Sequence, residues 1–95
     1  LARYLQLLEL DPGQLGLRIR LGMLQLKLQQ NDSAKENLYF VYEHKEAGLQ
    51  PDAAWFLALL SIKENNLDKA KLFLKESIDS RSSFLQEAQI LIATF

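Results

Sequence analysis

Apolar residues along this chain recur with the period of a helix, and the breaks between periodic stretches are short. Across residues 14–29, Leu15, Ile19, Gly22, Met23 and Leu26 share one face, while Leu17, Leu21, Leu24 and Leu28 form a second stripe. The alternation from Leu24 to Leu28 also fits a strand, but segment length, flanking loops and the absence of β-branched residues there favour helix. Residues 33–46 align Ala34, Leu38, Val41 and Tyr42, and residues 67–79 align Leu67, Ala70, Leu74 and Ile78. The breaks are "DPGQ" (11–14), "QQNDS" (29–33), "AGLQPD" (47–52), "NN" (65–66) and "DSRSS" (79–83). Helices of about 12 to 16 residues are predicted between them, and no segment reads as a strand. Start signals accompany the breaks. Ser33 with Glu36 matches a capping box, with Asn31 and Asp32 as alternative caps. Pro51 suits a first helical turn, where its missing N–H costs nothing, and Ser83 with Gln86 makes a second candidate box before "ILIATF". "ENLYF" (36–40) looks like the front of a viral-protease site. It is read as helix, because Val41 follows where that site needs Gln and because cloning scars lie at chain ends.

The periodic stretches repeat. Sliding the chain onto itself by 36 residues superposes Lys27 on Lys63, Asp32 on Asp68, Ala34 on Ala70 and Lys35 on Lys71. It also superposes Leu21 on Leu57, Gly22 on Ala58, Leu24 on Leu60 and Leu38 on Leu74. A repeat in the thirties with two helices per unit is the pattern of a helical solenoid. The small residues have a physical reason. Two helices joined by a short turn approach closely only where a side chain is nearly absent, so Gly22 and Ala58 open the gap on the first helix of each pair. Ala34 and Ala70 do so on the second, and Leu21 and Leu57 fill the adjoining groove.

With these residues the chain resembles the tetratricopeptide repeat family over residues 15–78. "LG" at 21–22 and "LA" at 57–58 are similar to that family's Leu-Gly pair, Ala34 and Ala70 to its signature alanine, and "LELDP" (8–12) to its repeat ending. Gln25 and Ser61 stand where the family has tyrosine, Leu38 and Leu74 where it has an aromatic, and the offset exceeds the common repeat of about 34. The resemblance implies an all-α fold of antiparallel helix pairs stacked as a right-handed α-α solenoid. Residues 1–12 would then end one repeat, 15–47 and 51–80 would be repeats, and 83–95 would start another, which makes the chain a fragment of a longer protein.

Composition narrows the function. Net charge is −1, from 11 basic and 12 acidic residues, so no field steers the chain onto nucleic acid or anionic lipid. Lys69, Lys71 and Lys75 are interleaved with Asp68, Glu76 and Asp79 and read as a solvated face. The longest apolar run, "AAWFLALL" (53–60), spans about 12 Å as helix, too short for a bilayer core of about 30 Å, and no membrane insertion is expected. Cysteine is absent, which removes disulfides and thiolate metal sites and leaves the compartment open. His44, flanked by Glu43 and Glu46, supplies one ligand where a metal site needs three or four, and reads as a solvated residue at a helix end. The serines lack a nucleophile-elbow context, and Gly13 and Gly16 around Pro12 read as a turn rather than a phosphate loop. No catalytic constellation is present, so no cofactor and no enzyme activity are expected.

The expected function is therefore binding. In the family that the chain resembles, first helices line a concave groove, which implies Ile19, Arg20, Met23, Leu26 and Lys27 from one repeat facing Trp55, Leu59, Ile62 and Lys63 from the next. Chaperone-binding members clamp an acidic tail there with lysines and asparagines. Here those positions are mostly apolar with cations at the rim, which suits an amphipathic peptide or helix of a protein partner. The same stripe at helical spacing also suits core packing, and the sequence leaves both open for Trp55, Met23 and Leu59. The alternative function is a structural spacer or a self-association domain whose bare ends stack on another copy.

Overall fold

In the computed structural model of the chain, which describes residues 2–45 and 48–95, the periodic stretches become six helices, and no strand forms among the described residues. They are α1 (Ala2–Leu10), α2 (Leu15–Lys27), α3 (Asn31–Glu43), α4 (Gln50–Lys63), α5 (Leu67–Asp79) and α6 (Leu85–Ile92). Expectations that fall on Leu1, Glu46 and Ala47 lie outside the described residues. The fold is all-α. α2 packs on α3 and α4 on α5 most extensively, with α3 against α4, α5 against α6, α1 against α2, and a smaller contact of α2 with α4. The radius of gyration is 12.9 Å, close to the roughly 12.4 Å of a compact chain this long; α2 to α6 share one core, to which α1 adds no buried residue.

The internal repeat is visible in the backbone. α3 and α5 begin 36 residues apart and end 36 residues apart, and α2 and α4 also end 36 residues apart. Gln29 and Asn65, again 36 apart, both adopt left-handed backbone (φ 64° and 57°), as do Lys45 and Arg81 (φ 44° and 53°). Three helix ends close in the same way. The Gln30 N–H donates to the Gln25 carbonyl (2.9 Å), the Asn66 N–H to that of Ser61 (2.8 Å), and the Ser82 N–H to that of Ser77 (2.9 Å). The left-handed residue before each donates one turn in, to Leu26, Ile62 and Ile78. These are Schellman ends built without glycine, so a Cβ carries the strain that glycine avoids. Gln29→Gly and Arg81→Gly should each stabilise the fold by about 0.5–1 kcal/mol in urea denaturation. Unchanged or lower stability would show that these turns are unstrained.

The small residues lie where close approach requires them. Gly22 is buried, and Ala34, Ala58 and Ala70 have no exposed surface. A Cβ at Gly22 would stand 2.8 Å from Leu38 Cγ, inside contact distance. α4 buries Ala53 through Ala58, Leu60 and Ser61, which explains why its apolar residues run nearly all round the helix. α2 is enclosed similarly, with both predicted stripes contributing buried residues, although Leu28 lies exposed just past its end. On α5 the buried set is Ala70, Phe73, Leu74 and Ser77, while Leu67, aligned with Ala70 and Leu74 by helical period, is exposed in the first turn.

Equivalent positions of the two repeats carry different chemistry. Between α2 and α3, buried Asn37 donates to Gln25 Oε1 (2.8 Å) and accepts from the Arg18 guanidinium (3.1 Å), which also lies 4.0 Å over the Phe40 ring. One repeat on, Phe73 replaces Asn37 and meets Tyr39 and Tyr42 edge-on, while Ser61 replaces Gln25 and donates to the Leu57 carbonyl (2.8 Å). In both repeats the buried side chains at these two positions that carry polar groups, Gln25, Asn37 and Ser61, each find a hydrogen-bond partner.

Two start signals differ from the sequence reading. α3 begins at Asn31, so Ser33 lies inside the first turn, and the cap position falls to Gln30, whose side chain makes no capping bond. The preceding Schellman end places Gln30 directly at the new helix, leaving no room for a later start. α6 begins at Leu85 after Phe84, and Ser83 does not cap it. Asp52 takes Ser83 instead, accepting from its N–H (2.7 Å) and hydroxyl (2.9 Å). Pro51 does sit in the first turn of α4, and Asn66 caps α5 by accepting from the Lys69 N–H.

Candidate docking groove

The surface shared by α2, α4 and α6 carries two depressions. The larger, about 420 Å³, is lined by Leu26 and Lys27 of α2, Leu59, Ile62 and Lys63 of α4, and Leu91 of α6. Its floor is apolar and its cations stand at the edge. Lys63 is anchored, because its ammonium donates to the Leu26 carbonyl (3.1 Å) in the last turn of α2. A cation there complements the negative end of that helix, so the bond orients Lys63 across the seam between α2 and α4. The smaller depression, about 160 Å³, lies nearer the starts of the helices and is lined by Ile19, Arg20, Met23, Leu49, Asp52, Phe56 and Phe84.

Five of the nine residues singled out from sequence therefore line one depression and three the other. Trp55 lines neither. It is buried and stacks on Phe84, with ring centroids 5.5 Å apart and planes at 14°. Ile19 and Leu26 belong to the core by burial, and Met23 and Leu59 are half-buried against it. Arg20, Lys27 and Lys63 are exposed.

Sequence reasoning missed Leu91, Phe84, Phe56, Leu49 and Asp52. The missing signal was the placement of α6. The bonds from Ser83 to Asp52 pin the start of α6 to the start of α4, so Phe84 reaches both Trp55 and Phe56 (5.2 Å, edge-on). Also missed was a cleft of about 400 Å³ between α1 and α2, where Tyr4, Leu7 and Leu10 face Gly16, Leu17 and Arg20. It exists because α1 buries none of its residues and only partly covers α2.

Elsewhere the polar groups serve the fold. The Tyr42 hydroxyl donates to the Glu76 carboxylate, joining α3 to α5. Burial first, and the bond to Glu76 second, push the Tyr42 pKa from 10.0 up to about 12. A raised folded-state pKa contributes stability that is fully present below pH 10 and is lost as pH climbs from 10 towards 12. Tyr42→Phe should therefore flatten the alkaline loss of stability, and the wild type should show one tyrosinate absorbance step delayed relative to the variant. Identical alkaline profiles would remove Tyr42 from that role.

Lys35 pairs with Glu64 at 2.8 Å, linking α3 to the end of α4, and this hydrogen bond raises the Lys35 pKa. His44 follows α3, stacks on Phe40 (4.3 Å) and holds its Nδ1 2.6 Å from the Phe40 carbonyl, so Nδ1 carries the proton. Lys69 lies 5.3 Å over the Tyr39 ring. Among the described residues, no group of three or more His, Cys, Asp or Glu could hold a metal ion, and no helix is long and apolar enough to cross a membrane. Comparison of the chain with family models, with curated proteins and with solved structures finds no match.

Proposed function

We propose that the chain is a non-catalytic docking scaffold. In this reading α2–α3 and α4–α5 are antiparallel helix pairs stacked as in tetratricopeptide repeats, and a partner's amphipathic helix lies along the face formed by α2, α4 and α6. Support for the pairing comes from the 36-residue recurrence of helix bounds and left-handed turns, and from the three-residue connections within each pair. The observation that carries the docking role is the larger depression, with Leu26, Leu59, Ile62 and Leu91 as an apolar floor and Lys27 and Lys63 at its rim. An apolar floor accepts residues spaced at i, i+3/i+4 and i+7, and a cationic rim favours acidic flanks on the same helix.

A labelled amphipathic helix with leucines at that spacing provides the test, made once with glutamate flanks and once with lysine flanks. The acidic version should bind the chain more tightly. Ile62→Glu should weaken it at least about tenfold, the equivalent of roughly 1.4 kcal/mol, with circular dichroism unchanged. Equal binding to wild type and Ile62→Glu, or no binding by either peptide, would rule the groove out. Trp55→Ala is unsuited to this purpose, since Trp55 is core and its loss would be read as unfolding.

A further inference from the structure

The two depressions on the face of α2, α4 and α6 lie in line. The larger draws on the last turns of the three helices, with Lys27, Lys63 and Leu91 in its lining, and the smaller on their earlier parts, with Ile19, Asp52 and Phe84. The three helices therefore run in the same direction, and a rod laid along them crosses both depressions. On α2 the lining passes from residues 19–23 to 26–27, and on α4 from 52–56 to 59–63. At about 1.5 Å per residue, the centres are about 8 Å apart along α2 and about 10 Å apart along α4.

Their sizes differ. The smaller, about 160 Å³, matches the roughly 150 Å³ apolar cavity that takes one benzene ring, so it seats one large apolar side chain. The larger, about 420 Å³, has room for two. On a helix, one apolar residue at i and two more at i+4 and i+7 put the midpoint of the pair about 8 Å from the first. One face of an amphipathic helix thus fills both depressions. Read from its other end the same helix fits too, so its apolar residues alone leave the direction open.

Charge sets the direction. Among the described residues, the larger depression is lined by two cations, Lys27 and Lys63, and no acid, whereas the smaller has one residue of each sign, Arg20 and Asp52. Acidic residues on a bound helix gain beside the first and gain little beside the second.

We propose that the partner helix covers both depressions, with one large apolar residue in the smaller and two in the larger, and that acidic residues at one of its ends fix its direction by meeting Lys27 and Lys63. This rests on the docking reading above and adds to it a second anchor and a polarity.

Helical peptides with leucines at i, i+4 and i+7 test it, carrying glutamates beyond one end, beyond both ends or at neither, with glutamine in their place. Glutamates at one end should tighten binding about three- to tenfold at low salt, and a second set at the other end should add less than about twofold. Lys27→Gln should at least halve the first gain. In the one-ended peptide, alanine for the leucine farthest from the glutamates should weaken binding to wild type about tenfold. The same alanine should cost nothing more in Met23→Glu, which spoils the smaller depression, with folding checked by circular dichroism. If that alanine costs nothing in wild type, the smaller depression holds no anchor. If glutamates at both ends gain twice what one end gains, the face has no polarity. Either result overturns the proposal and leaves the docking reading standing. Peptides that do not bind, or that bind Ile62→Glu as they bind wild type, overturn the docking reading and this proposal with it. The alanine peptides are read on the wild-type chain, so a Met23→Glu variant that fails to fold does not spare the proposal.

Discussion

Leu38→Ala is expected to lower the stability of the fold by about 3–5 kcal/mol, the upper part of the range for a buried leucine. Leu38 has no exposed surface and lies over Gly22, which has no side chain to settle into the vacated space. The cavity would therefore stay nearly as large as the atoms removed, and the cost of such substitutions grows with residual cavity volume. Leu74→Ala, one repeat on, has Ala58 at the position equivalent to Gly22, and should fall lower in the range, about 2–4 kcal/mol. Urea denaturation of both variants checks the order as well as the size. Equal losses would mean that the space over Gly22 collapses as readily as that over Ala58.

Gly22→Ala is expected to cost about 1–2 kcal/mol, against the sign of helix propensity. Alanine gains roughly 0.8–1 kcal/mol over glycine in a helix interior. The new methyl, however, would meet Leu38 Cγ at 2.8 Å and Cδ2 at 2.9 Å, and Cγ is the branch point of the side chain rather than its free end. Relieving that contact means moving a fully buried leucine off its rotamer or parting α2 from α3, and such overpacking costs about 1–3 kcal/mol. The sign should reverse in the Leu38→Ala background, where the clash is gone. There Gly22→Ala should stabilise by about 1 kcal/mol, from propensity and partial filling of the cavity. Additive effects in the double-variant cycle would show that the two residues do not touch in solution.

Much of the architecture was legible because it rests on local rules. Leu15, Ile19 and Leu26 fall on one face by helical period alone, and Gly22, Ala34, Ala58 and Ala70 stand out because a small residue amid leucines has few other purposes. Helix starts were less legible. Ser33 and Ser83 have capping chemistry, but capping is a competition. The Schellman end at Gln29 starts α3 before Ser33, and Asp52, distant in sequence, claims Ser83. Sequence proximity cannot report a partner 31 residues away.

The candidate groove divides along the same line. Leu26, Lys27, Leu59, Ile62 and Lys63 were named from the family resemblance, and they meet around one depression. Trp55 was named with them yet turns inward, because Phe84 arrives from α6 to stack on it. Leu91 enters the lining for the same reason, since α6 closes the side of the groove that two repeats alone would leave open.

The order of apolar and polar residues by itself determined that this chain is helical, where its turns fall and which positions repeat, because those properties depend on neighbours a few residues apart. Tertiary packing alone decided which apolar residues become core and which remain as surface, and that Ser83 is captured by Asp52 instead of capping α6. Those outcomes depend on what arrives from a distant helix, and burial is settled only by the last element to pack.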